Sequence, residues 1–180
     1  PRLIHVMDRE GDIHDVLEDV VVHGDGAVIR CSRDRRVKTD DATTRTLETL
    51  AAATPLATET VDVPRRHNQR AREARVELRG CAVTLAPTRQ HAVHQARQTV
   101  PLHVVEVKEI AAAEGCNPLH WVLWTTEPID TPEALRRVVA IYRQRWQIEQ
   151  LFRILKGGCA AEELQFKTAE RMMKVLANDG

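Results

Sequence analysis

The hydrophobic period of this chain changes twice, and each change restricts the fold it can adopt. Leu3, Ile4, Val6 and Met7 form a short apolar run that ends at Asp8. After the acidic stretch Arg9 to Asp12, the residues Ile13, Val16, Leu17 and Val20 recur at helical spacing, with Asp12 or its neighbour as the expected N-cap. Strand, acidic loop and helix therefore open the chain, and Ala27 to Cys31 reads as a second strand of the same sheet, followed by a basic loop from Arg33 to Lys38. A short helix is expected around Leu47, Leu50 and Ala51, before Pro55. From Val61 to Ala86 the period becomes two, through Val61, Val63, Ala74, Val76, Leu78, Val83 and Leu85, with a tight hairpin expected at Arg79, Gly80 and Cys81. Further strands follow at Leu102 to Val107 and Leu119 to Thr126. Helical spacing returns at Leu135, Val138 and Val139, behind Thr131 as N-cap and Pro132 at the first helical position. The expected fold is α/β: a core at 1–38 and 119–180, interrupted at 39–118 by a mostly antiparallel β insertion.

Charge sharpens the choice of partner. Lys and Arg balance Asp and Glu at 26 each, but arginines crowd two stretches, Arg30 to Lys38 and Arg65 to Arg79. Local clusters of this kind permit a polyanion such as nucleic acid, although a solvated sheet face reads the same way. No apolar run approaches the length of a membrane span, so a soluble, cytoplasmic protein is expected. Cys31, Cys81, Cys116 and Cys159 are far apart and read as isolated thiols. The pairs His91 with His94 and Cys116 with His120 have no second pair at zinc spacing.

The most informative stretch is Ile141 to Gly158, IYRQRWQIEQLFRILKGG. On an ideal helix Tyr142, Arg145, Glu149 and Lys156 fall within about 60° of one another, with Trp146 beside them. Ile141, Ile148, Leu151, Phe152 and Leu155 form a neighbouring apolar stripe, and Gly157 and Gly158 end the helix. Two cations around one carboxylate suit an anionic partner, although Arg145 and Glu149 also match ordinary surface support. A further helix is expected from Ala160 to Ala177.

Asp8 stands at the carboxyl end of an apolar strand, a usual place for ligand and metal groups in α/β proteins. Converging carboxylates from Asp8 and Glu149 would suit Mg²⁺ or Mn²⁺ beside a substrate phosphate. Two such ions activate water or a 3′-hydroxyl and stabilise the leaving oxygen in phosphodiester attack. Arg145 and Lys156 would then grip neighbouring phosphates, and Trp121 or Trp146 would stack on an unpaired base.

Three motifs in order carry a resemblance. Tyr142, Arg145, Glu149 and Lys156 resemble the Y-(2)-R-(3)-E-(6)-K signature of the YREK subgroup of DDE-type transposases of bacterial insertion sequences. Asp8-Arg9-Glu10-Gly11-Asp12-Ile13 resembles that family's D-R-E-x-D-I motif, and His120 to Pro128 resembles the strand ahead of its signature helix. The resemblance implies a ribonuclease H-like catalytic core, interrupted by a β insertion. It also implies that Asp8 and Glu149 are the second and third metal-binding acids of the triad. Tyr142, Arg145 and Lys156 would contact phosphate, Trp121 would stack on a flipped base, and Trp146 would be a further aromatic at the site. Arg30 would help to hold DNA. The implied partners are double-stranded transposon ends and a second copy of the chain, and the implied location is the bacterial nucleoid.

The resemblance also implies a first aspartate on an earlier strand, whereas this chain opens on the strand of the second. The expectation is a partial core with an incomplete two-metal site, inactive alone. The alternatives are a noncatalytic DNA-binding or interfering remnant and a ribonuclease H-like DNA nuclease.

Overall fold

A computed structural model describes residues 2–40, 42–64, 71–86, 99–112 and 115–147. It divides into two compact units, Pro1–Arg143 and Gln144–Gly180. Of the second unit, 144–147 are described: a turn at Gln144 begins a short helical stretch, in which the Gln147 amide donates to the Gln144 carbonyl at 3.0 Å. Glu149, Lys156, the stripe from Ile148 to Leu155 and the expected helix at Ala160 to Ala177 lie outside the described residues. So do His91, His94, Arg65, Arg66 and Arg70.

The first unit is built on one eight-stranded sheet. Its elements in chain order are β1 (Ile4–Met7), α1 (His14–His23), β2 (Gly26–Arg30), β3 (Arg36–Lys38), β4 (Thr43–Arg45), α2 (Thr46–Ala52), β5 (Ala57–Val63), β6 (Arg72–Leu85), β7 (Val100–Glu109), β8 (His120–Thr125) and α3 (Pro132–Arg143). Across the sheet the order is β1-β2-β8-β7-β6-β3-β4, with β5 paired to the first half of β6. Among the described residues only β1 and β2 run parallel, and α1 makes the crossover between them. The strands from 39–118 continue the sheet of the flanking segments without a break, because β8 hydrogen-bonds to β2 on one side and β7 on the other.

Both faces of the sheet are covered. On one face Leu17 and Val20 of α1 and Leu50 of α2 pack with Ala27, Ile29, Val83, Leu85, Leu102, Val104 and Trp124. On the other lies α3, whose Leu135, Val138, Val139 and Tyr142 are buried. Central strands buried on both sides read as continuous apolar runs, as AVI in β2 and VV in β7 do. Gly24 ends α1 at φ 72°, in the left-handed conformation that a helix stop favours, and its amide reaches the Val20 and Val21 carbonyls. Thr131 caps α3 by accepting from the Ala134 amide at 3.1 Å. The far end of α3 is tied to β5 by Arg143 Nη2 and Asp62 Oδ2 at 2.7 Å.

Two expectations change. Gly80 makes no hairpin: β6 runs straight through it, and a Cβ there would lie 2.9 Å from Ile129 Cδ1 and 3.0 Å from Leu135 Cδ2. The glycine lets α3 approach the sheet. The basic stretch after β2 is not all loop, because Arg36–Lys38 forms β3, with Val37 buried between two exposed cations. Of Asp12 and its neighbour, it is the neighbour, Ile13, that stands at the N-cap of α1, with no side-chain hydrogen bond.

Candidate active site at the carboxyl ends of the parallel strands

Asp12 is instead the anchor of this end of the sheet. Its carboxylate is wholly buried and accepts from the Ser32 amide at 2.6 Å, Ser32 Oγ at 2.7 Å, Arg35 Nε at 3.0 Å and Trp124 Nε1 at 3.1 Å. Arg35, itself buried, also donates to the Asp12 carbonyl. One carboxylate thus ties the turn after β1 to the loop after β2 and to β8. A buried ion pair holds only when its remaining lone pairs are also satisfied, as they are here.

That turn carries Asp8. The chain leaves β1 in extended conformation at Asp8, whose carboxylate accepts from the Arg9 amide at 2.8 Å and starts a single 3-10 turn over Arg9–Gly11. Asp8 is half-buried and lies just past the Met7 and Ile29 pairing, so it stands beside Arg30. The structure therefore brings two of the expected site residues, Asp8 and Arg30, to the ends of adjacent parallel strands. Arg30 donates to the His120 carbonyl at 3.4 Å. His120 Nε2 lies 2.8 Å from Glu106 Oε1, and this hydrogen bond holds the Glu106 carboxyl below its ordinary range against the opposing effect of burial.

Trp121 and Tyr142 are placed differently from expectation. Residues of β8 alternate between faces, so Trp121, Leu123 and Thr125 look toward α3. Trp121 is 2 % exposed and meets Tyr142 edge-on, with ring centroids 5.2 Å apart; Tyr142 is 1 % exposed. In this packing neither ring has an open face for a base, and the Tyr142 hydroxyl is shut off from solvent. Arg145 and Trp146 belong to the second unit and are half-buried.

Two of the three arginines of β6 stand against acids. Arg72 makes a double contact with Glu109, and Arg79 sits 3.3 Å from Glu77 and 3.9 Å from Glu106. Burial pushes the thiol of Cys31 well above its ordinary value and that of Cys81 up to about 11, so both are poor nucleophiles at neutral pH.

Two features could hold a cation. Asp8 offers a carboxylate at the strand end, and its motif partner Asp12 is fully committed to Arg35, Ser32 and Trp124. His14, Asp15 and Glu18, on the first turns of α1, bring one ligand atom each within 4.8 Å. That second group was missed because its three residues read as ordinary helix positions. With a nitrogen donor it suits a softer ion than Mg²⁺, which takes oxygen ligands. Size alone does not select the site, since a larger cleft of about 780 Å³ lies at the opposite ends of the strands, around Arg2, Asp25 and His103.

A comparison of the whole sequence with known families finds a match. The family model described as the transposase DDE domain matches residues 19–176. The matched segment takes in β2 with Arg30, the whole of the antiparallel sheet and the stretch that carries Tyr142, Arg145, Glu149 and Lys156, while Asp8 precedes it. With most of its length covered by that model, the chain belongs to the transposase DDE-domain family.

Proposed function

We propose that this chain is catalytic-core sequence of a bacterial insertion-sequence transposase of the YREK subgroup, with Asp8 and Glu149 as two of its metal-holding acids. DNA transposition and metal-dependent DNA cleavage are the activities of the family. The observation that carries the finer reading is the placement of Asp8 beside Arg30, at the carboxyl ends of the parallel strands β1 and β2. The ion would be Mg²⁺ or Mn²⁺; when bound, such an ion activates water or a 3′-hydroxyl for attack on a phosphodiester. The donor chemistry fits, because the Asp8 carboxylate supplies oxygen, and its Oδ1 accepts from the adjacent Arg9 amide at 2.8 Å.

The protein's own residues then divide the work. Asp8 holds the cation, and the tie from Asp12 to Arg35, Ser32 and Trp124 fixes the turn from which Asp8 projects. Arg30 neutralises phosphate next to the scissile bond, and Arg145, Lys156 and Trp146 of the signature stretch contact the same DNA end. The substrate is a double-stranded transposon end, and two copies of the chain act on a pair of ends. Trp121 and Tyr142 brace β8 against α3.

The test is Mn²⁺ titration of the 180-residue chain by calorimetry, with Asp8→Asn and Asp15→Asn compared. The expected result is a loss of at least about tenfold in affinity with Asp8→Asn and little change with Asp15→Asn. Equal affinity of Asp8→Asn and the unaltered chain would sink the assignment.

A further inference from the structure

A small cleft lies between the ends of β2 and β8, with a cavity volume of about 170 Å³. Its walls carry Arg9, Arg30 and Arg33, together with Ser32 and His120. Arg9 and Arg33 are exposed, and among the described residues neither is held in an ion pair. Arg30 spends one nitrogen on the His120 carbonyl and keeps the rest of its donors. The acid in the wall, Asp34, is already used, because its Oδ1 accepts from the Leu47 amide at 3.0 Å. His120 is likewise occupied, its Nε2 lying 2.8 Å from Glu106 Oε1. Three guanidinium groups thus face one Asp carboxylate that is engaged elsewhere. A cleft this size falls below the range of about 300–1,000 Å³ that encloses drug-sized ligands, so it matches one anionic group and not a whole nucleotide.

We propose that this cleft is a phosphodiester pocket, in which Arg9 and Arg33 join Arg30 in seating one backbone phosphate of the DNA strand led to Asp8. The proposal rests on the transposase reading for the identity of the strand, and on the charge and size of the cleft for the pocket itself. Arg9 follows Asp8 directly, so a phosphate seated here sets the register of the strand with respect to the metal-holding carboxylate. Guanidinium groups suit that task, because their planar forks match the oxygens of a phosphate. The rigid base of the pocket is the loop from Cys31 to Arg35, which Asp12 clamps through Ser32 and Arg35.

The experiment measures binding of a fluorescently labelled duplex oligonucleotide to the 180-residue chain by anisotropy, in EDTA and over a series of salt concentrations. Arg9→Gln and Arg33→Gln are compared with Arg36→Gln, which removes an equal charge from an exposed position on β3 outside the cleft. Each cleft variant is expected to weaken binding several-fold and to lower the slope of log affinity against log salt by about one. Arg36→Gln is expected to leave the slope unchanged. The proposal is overturned if all three variants act alike, which would indicate diffuse attraction, or if the cleft variants leave the slope intact. All three positions are exposed, and a thermal melt of each variant checks that folding is unaltered. Loss of the arginine effect with Mn²⁺ binding intact would refute the pocket alone; failure of Asp8→Asn to weaken Mn²⁺ binding would refute the metal assignment alone.

Discussion

Removing the Asp12 carboxylate should unfold this protein more readily than any change on its surface. In Asp12→Ala, Arg35 keeps only its bond to the residue 12 carbonyl, although its side chain is 7 % exposed. The Ser32 amide, Ser32 Oγ and Trp124 Nε1 lose their acceptor at the same time. Breaking a buried pair by deleting one partner costs about 3–5 kcal/mol, because the other charge stays buried and unpaired. For a chain of this size that corresponds to a fall in Tm of about 6–20 °C. Urea unfolding followed by far-ultraviolet circular dichroism gives the free energy, and an unchanged m value shows that the transition itself is the same. Asp12→Asn should lie between, at about 2 kcal/mol, since an amide keeps the shape but sets an N–H₂ group against donors. Asp12→Ala combined with Arg35→Met should recover part of the loss, because the stranded charge is gone. A cost below about 1 kcal/mol for Asp12→Ala, or a double variant less stable than the single one, would refute the reasoning.

Two further outcomes follow from named contacts. Glu109 accepts from Arg72 and, at 2.7 Å, from the Leu119 amide, and the Arg72 bond holds its folded pKa below the ordinary 4.5. Its contribution is therefore complete above that value and is lost as the pH falls through the lowered one, so the stability gap between the unaltered chain and Glu109→Gln should narrow below about pH 4.5. A gap that stays constant into acid, read from urea midpoints, would contradict this. Gly80→Val should destabilise by about 1–3 kcal/mol through overpacking against Ile129 and Leu135, although valine is the better strand former. A rise in thermal stability would show that α3 does not press on β6 there.

The parts of this fold that were legible in the sequence are those set by neighbours along the chain. The apolar runs of β1, β2, β7 and β8 report burial directly, and Thr131 with Pro132 marks the start of α3 through bonds made within four residues. What escaped depends on distant partners. Asp12 looks like a helix cap because it precedes one, yet its carboxylate meets Trp124 across 112 positions of sequence. Gly80 looks like a turn until the helix that needs the space is known. β3 was hidden because a three-residue strand with one buried side chain leaves no period to read. The positions of Asp8 and Arg30 at strand ends could be read from the apolar runs before them. The depth of Trp121 could not, because alternation along β8 settles which face it takes only once α3 has been placed. Arg72 and Arg79 of β6 carried a similar ambiguity, resolved by Glu109 and Glu106 on β7.

The pairing of β2 with β8 has a consequence for how the protein comes into being. Val28 sits opposite Thr125, so the strand that bears Arg30 gains its second neighbour from residues made almost one hundred positions later. At roughly 5–20 residues per second of synthesis, that neighbour arrives roughly 5–20 s after the strand itself. For that interval the emerging β2 has an open edge of unpaired amides and carbonyls, apolar on both faces, the kind of surface that invites pairing with another chain. Closing so long a loop is slow in any case, since its entropy is lost before its contacts are gained. β8 is the last of the described strands to be made, so the seam between β2 and β8 closes only after the other strands of the sheet have been synthesised.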